Sequence, residues 1–147
     1  MSKLIIGNVG GEFIGIASRD VLEMVELPRS CPVPFSLSHL RGVAFWRGAL
    51  LTVVSLYGLV SPKTPESRPS IFVRSLKPRD NILVGLDKIE DVTPFNDLGM
   101  RDEGAGSVWK GIYPWNDAWV TVLNFERLIS LLEEEVINTL RLGNSGR

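Results

Sequence analysis

Apolar and polar positions alternate in short runs along most of this chain and change period once, near the C-terminus. Lys3 to Asn8 is a short apolar run, read as an edge strand, and the turn signal Gly10-Gly11 leads into a second strand, Glu12 to Ala17. Ser18 is placed to cap a single helical turn. Val21 to Leu27 then alternates, with Val21, Glu23 and Val25 on one face and Leu22, Met24 and Glu26 on the other. Ser70–Leu76 and Asn81–Leu86 are strands around the turn Lys77-Pro78-Arg79-Asp80, and Lys88–Thr93 is a shorter strand ended by Pro94. From Asn124 the period becomes helical: Phe125, Leu128, Ile129, Leu132, Val136 and Leu140 recur on one face, and Asn124 serves as N-cap. Gly143-Asn144 ends that helix. The loops are Pro28–Pro34, Ser61–Pro69 and Asn96–Ser107, rich in Pro, Gly and polar residues.

Two hairpins stand out. Arg41–Trp46 and Ala49–Leu56 flank Arg47-Gly48, and Val108–Trp115 and Ala118–Leu123 flank Asn116-Asp117. They align without gaps at an offset of 69, so that Gly42, Trp46, Ala49, Thr52 and Val53 recur as Gly111, Trp115, Ala118, Thr121 and Val122. Upstream, Val21-Leu-Glu-Met echoes Ile89-Glu-Asp-Val at an offset of 68. Two unrelated hairpins with the same turn chemistry would also align this way, but the order strand, proline-bearing loop, hairpin is the same in both halves. Halves this small do not bury enough surface alone. The expected fold is mainly β: two pseudo-equivalent five-stranded β-barrel subdomains sharing a hydrophobic core, with a C-terminal α-helix. The chain is one domain over 1–147, with approximate halves 15–69 and 70–124, an N-terminal strand and a helix over 124–142.

Composition narrows the function. Net charge is −1 and pI about 5.9, with no basic stripe for nucleic acid. The single Cys31 excludes an internal disulfide framework and a cysteine-based zinc site. No signal peptide is expected, and no apolar run approaches the roughly 20 residues needed to span a bilayer. His39, the single histidine, has no neighbouring nucleophile motif and reads as a solvated or capping residue. Glu133-Glu134-Glu135 reads as the solvated helix face, and the spacing of Asp87, Glu90 and Asp91 matches no calcium loop. Trp46, Trp109, Trp115 and Trp119 read as core, and any that is partly exposed would mark a binding surface. No catalytic constellation is present, and no cofactor or metal is expected. Glu23 and Arg47 remain: either a partner pair across neighbouring strands or two unrelated surface charges.

The chain resembles the CheW-like domains, the adaptor fold of bacterial chemosensory systems. The residues that carry the resemblance are Val21-Leu-Glu-Met, the proline-bearing loop through Pro34, Gly42-Val-Ala-Phe-Trp-Arg-Gly48, the strand to Leu56, Leu86-Asp-Lys-Ile-Glu-Asp-Val92, and Gly111 through Leu128. The resemblance implies two five-stranded barrels and no catalysis. It implies binding to the regulatory domain of a chemotaxis-type histidine kinase and to the cytoplasmic helical hairpin of a chemoreceptor. It implies a cytoplasmic protein that reaches the membrane only through receptor complexes. Arg47 falls at the characteristic arginine of that pattern and Glu23 at the acidic position paired with it; Val21, Gly42, Ile89 and Asp91 fall at positions expected near partner surfaces. Thr52 and Ser55 depart from the usual Pro and Asp of the strand after the hairpin, Phe45-Trp46 from the usual Asn-Leu, and Gly85 lies two residues later than usual. These departures leave the pathway open between swimming chemotaxis and pilus-linked twitching. The alternatives are an adaptor uncoupled from any kinase and a small-ligand-binding β-barrel.

Overall fold

A computed structural model describes residues 2–26, 40–56, 71–75, 82–102 and 108–134, with backbone alone for 40–45. The expectations for the loops 28–34 and 61–69, the turn 77–80, part of the loop 96–107, Cys31, His39, and the helix beyond residue 134 lie outside these residues. The strands are β1 (Lys3–Val9), β2 (Glu12–Ala17), β3 (Val21–Glu26), β4 (Leu40–Trp46), β5 (Ala49–Val54), β6 (Ile71–Ser75), β7 (Ile82–Leu86), β8 (Lys88–Pro94), β9 (Trp109–Trp115) and β10 (Ala118–Leu123). The described part of the helix, α1, covers residues 125–134. The fold is mainly β, as expected.

Two five-stranded sheets form, in the orders β3-β6-β7-β5-β4 and β8-β1-β2-β10-β9. We call them the first and second barrel. Each contains one parallel pair, β5 with β7 and β10 with β2, and the remaining pairs are antiparallel. The repeat is therefore structural: β3, β4, β5, β6 and β7 correspond in order to β8, β9, β10, β1 and β2. The sheets are not divided at the expected boundary between 15–69 and 70–124. Hairpin β6–β7 completes the first barrel, and the N-terminal hairpin β1–β2 completes the second. β1 is an inner strand, paired on both sides, rather than the expected edge strand. Its Leu4, Ile5 and Ile6 are all buried, so both of its faces are covered.

The two copies also share their irregularities. Register slips between Val21 and Glu23 on β3, and between Ile89 and Asp91 where β8 meets β1, leaving Leu22 and Glu90 as matching bulges. Gly42 and Gly111 each follow a second slip in their hairpins. Both hairpin turns have positive φ at their two central residues: 47° and 80° at Arg47 and Gly48, 44° and 62° at Asn116 and Asp117. That is the type I′ pattern, which matches the twist of the flanking strands.

Period-2 alternation sorts side chains into three cores. On β7, Ile82, Val84 and Leu86 enter a core common to both barrels, while Leu83 enters the first barrel with Val25, Leu51, Val53 and Phe72. The second barrel holds Leu4, Ile6, Ala17, Phe95, Val120 and Val122. Phe125, Leu128 and Leu132 of α1 join the common core, opposite the exposed Glu126, Glu133 and Glu134. Each fully buried aliphatic side chain contributes about 1.5–3 kcal/mol. Asn124 caps α1 as expected, its Oδ1 accepting from the Arg127 N–H at 3.3 Å. Ser18 does not cap: it begins the 3₁₀ turn Ser18–Asp20, and its Oγ accepts instead from the Lys3 N–H at 3.0 Å.

Candidate functional site

Neither sheet closes by a backbone ladder among the described residues: β3 and β4 are the edges of the first, β8 and β9 of the second. In both, an acidic residue just after the bulge of one edge strand reaches toward the hairpin of the other. Glu23 is that residue in the first barrel. The slip at Leu22 sets Glu23 opposite Arg74 on β6, and Glu23 Oε1 accepts from Arg74 Nη1 at 3.0 Å. Its other oxygen, Oε2, lies 3.6 Å from Arg47 Nη1 at the hairpin turn. The sequence pair is thus brought together, with a second arginine that sequence reasoning missed.

The two arms of this cluster differ in strength. The Arg74 side chain is 14% exposed and that of Glu23 24%, so their hydrogen bond is part-buried and charge-assisted, worth about 1.5–3 kcal/mol. The Arg47 side chain is 74% exposed, and its longer contact is worth about 0–1 kcal/mol. Arg74 therefore decides where the carboxylate sits, and Arg47 is held loosely. The Arg47 guanidinium also lies 5.2 Å from the centre of the Trp46 ring. With one carboxylate between two guanidinium groups, the cluster has an excess positive charge.

Arg47 stands in the left-handed region at φ 47°. An L-residue with a Cβ is disfavoured there by about 1–2 kcal/mol. The matching turn of the second barrel uses Asn116 and Asp117, whose short polar side chains tolerate that region. Arginine is the worse local choice, and strain of this kind concentrates at functional sites.

The remaining sequence candidates fall elsewhere. Val21 and Ile89 occupy matching positions and pack, half-buried, against the common core. Gly42 pairs with Val53 within the first hairpin. Asp91 is the counterpart of Glu23 in the second barrel. Its Oδ2 accepts from Trp115 Nε1 at 2.9 Å, joining β8 to β9, and its Oδ1 accepts from the Val92 N–H at 2.8 Å. Asp87 Oδ2 accepts from the Gly10 N–H at 2.9 Å, and Glu90 Oε1 lies 3.2 Å from Lys88 Nζ. No group of three potential metal ligands occurs among the described residues. Trp46 and Trp115 pack on separate barrel cores and Trp109 on the common core, but Trp119 is 47% exposed, outside the expected core, with the Arg101 guanidinium 4.8 Å from its ring centre. Leu22, Met24 and Leu50 of the first barrel are also exposed.

Two small barrels, one built from the contiguous strands β3–β7 and the other from β8–β10 with the N-terminal hairpin, share a core and define a double-barrel β domain whose distinctive chemistry lies in paired charges at the barrel edges. The chain belongs to the CheW-like domain family, whose model matches residues 3–133. CheW-like domains are scaffolds of chemotaxis signalling, not enzymes. The fold is similar to the crystal structure of the scaffolding protein TtCheW from Thermoanaerobacter tengcongensis, with a TM-score of 0.71 and 18% sequence identity over 83% of each chain. A comparison with curated proteins finds no match. No helix among the described residues is long and apolar enough to cross a membrane.

Proposed function

We propose that this protein is a non-enzymatic adaptor that couples chemoreceptors to a chemotaxis-type histidine kinase. The observation that carries the reading is Arg47: an exposed cation in a strained turn, held against a part-buried Glu23. Such a group exchanges its internal counterion for a partner's carboxylate at little cost, because the internal contact is long and solvated. Family membership supports the scaffold role, and the protein acts in the cytoplasm, meeting the membrane through receptor complexes. Of the assigned partner positions, Glu23 and Arg47 are the charged pair of the first barrel, Val21 and Gly42 lie on its edge strands β3 and β4, and Ile89 and Asp91 lie on β8, an edge strand of the second.

The test is titration of the kinase's regulatory domain against the wild type, Arg47→Glu and Glu23→Gln. Reversing the charge on Arg47 is expected to weaken binding by at least about tenfold, since breaking a close interfacial charge pair costs 2 kcal/mol or more. Affinity unchanged in both variants would remove the assigned surface. Retained receptor binding with no binding of any kinase would instead favour an uncoupled adaptor, the reading that the departures at Thr52 and Ser55 raise.

A further inference from the structure

The two barrels hold their open edges together differently. By the repeat, Glu23 corresponds to Asp91 and Trp46 to Trp115. In the second barrel, Trp115 Nε1 donates directly to Asp91. In the first, Trp46 Nε1 is buried with no acceptor among the described residues, although its hairpin takes the same register. The residue opposite the acid on the neighbouring strand is Ile6 in the second barrel and Arg74 in the first. Ile6 cannot bind a carboxylate, so Asp91 is free to meet its tryptophan. Arg74 binds Glu23 through Nη1, while its Nε is also buried without an acceptor among the described residues, a one-point contact rather than a fork.

We infer that Arg74 is a positioning residue: it draws Glu23 away from the Trp46 indole and sets the second carboxylate oxygen toward Arg47. The first barrel then presents a loosely paired cation where the second has a closed seam. A buried indole N–H without a partner is unfavourable, so the carboxylate has a second home waiting at Trp46 when Arg74 is absent. Only the binding arm of the following test rests on the coupling function proposed above.

Arg74→Ile reproduces the second barrel at this position, and the indole N–H resonances report the outcome. Trp46→Phe and Trp115→Phe assign the two signals. In the wild type, Asp91→Asn is expected to move the Trp115 signal, while Glu23→Gln leaves that of Trp46 in place. In Arg74→Ile the Trp46 signal is expected to shift downfield, toward that of Trp115, and to return when Glu23→Ala is added, which leaves no side-chain acceptor. Affinity for the kinase's regulatory domain should fall about tenfold, as in Arg47→Ala, with Arg74→Lys recovering most of it. A Trp46 signal unmoved in folded Arg74→Ile overturns the inference. So does a Trp46 signal that moves in Glu23→Gln with Arg74 intact, and this measurement serves even if Arg74→Ile does not fold. The expected indole shift with kinase affinity unchanged in both Arg47→Ala and Arg74→Ile supports the positioning role and counts against the coupling surface.

Discussion

Replacing Asp91 with alanine tests whether its bond to Trp115 holds the second barrel's seam. The substitution removes a part-buried, charge-assisted acceptor 2.9 Å from Trp115 Nε1 and leaves that donor unpaired. The expected loss is about 1.5–3 kcal/mol. For a chain of 147 residues the unfolding entropy is about 0.3 kcal/mol per kelvin, so the melting temperature should fall by about 5–10 °C. Asp91→Asn should lose about half as much, because an amide oxygen still accepts but without charge. Thermal unfolding of Asp91→Ala, Trp115→Phe and the double variant gives the coupling directly, expected at about 1–2 kcal/mol. The cycle matters because Asp91 Oδ1 also accepts from the Val92 N–H, a bond the alanine removes whether or not the tryptophan is there. If the two single losses add to within about 0.5 kcal/mol, the seam is not held by this bond. An unchanged melting temperature together with weakened partner binding would make Asp91 a partner contact instead.

Two further predictions concern the second barrel and its margin. Gly111→Ala places a Cβ against the Arg101 carbonyl, where paired backbone bonds of 2.8 Å join Arg101 to Ile112. Breaking that bridge should cost about 2–3 kcal/mol and speed hydrogen exchange at the Ile112 amide; unchanged exchange would show that the bridge survives. Asp97 receives two hydrogen bonds from Arg19, at 2.7 and 2.8 Å, and this pairing outweighs desolvation and holds its carboxyl below the ordinary carboxylate range. A folded value below the unfolded one, about 3.9, gives stability that is present above that pH and lost as pH falls through the folded value. The side chains are 43% and 51% exposed, so screening limits the effect to below about 1 kcal/mol. An NMR titration of the Asp97 carboxyl should show a lowered midpoint that Arg19→Ala restores; equal midpoints would refute the pairing.

Much of this fold was legible as local pattern. Short apolar or alternating runs located the described strands, and Gly10-Gly11, Arg47-Gly48 and Asn116-Asp117 located three two-residue hairpin turns, because a two-residue loop with positive φ is a property of its own residues. The gapless match between hairpins foretold that they would be equivalent. The common core was also foreseeable, since Ile82–Leu86 is apolar without interruption and so must be covered on both faces.

What the sequence by itself determined, then, is the identity of the elements, their duplication and the family; what only the tertiary structure decided is which elements pair and at what register. Nothing local says that β6–β7 closes the first barrel while β1–β2 closes the second, because those pairings join segments far apart in the chain. Nor does it reveal the bulges at Leu22 and Glu90, which aim Glu23 and Asp91 across their seams. Arg74 was visible as a lone charge in an apolar strand, yet its partner could not be named until β3 was set beside it. A side chain's neighbours across a sheet depend on register, and a slip of one residue turns every side chain to the other face. The sequence could pair Glu23 with Arg47 only as one of two readings; the fold brings them to 3.6 Å and gives the closer place to Arg74.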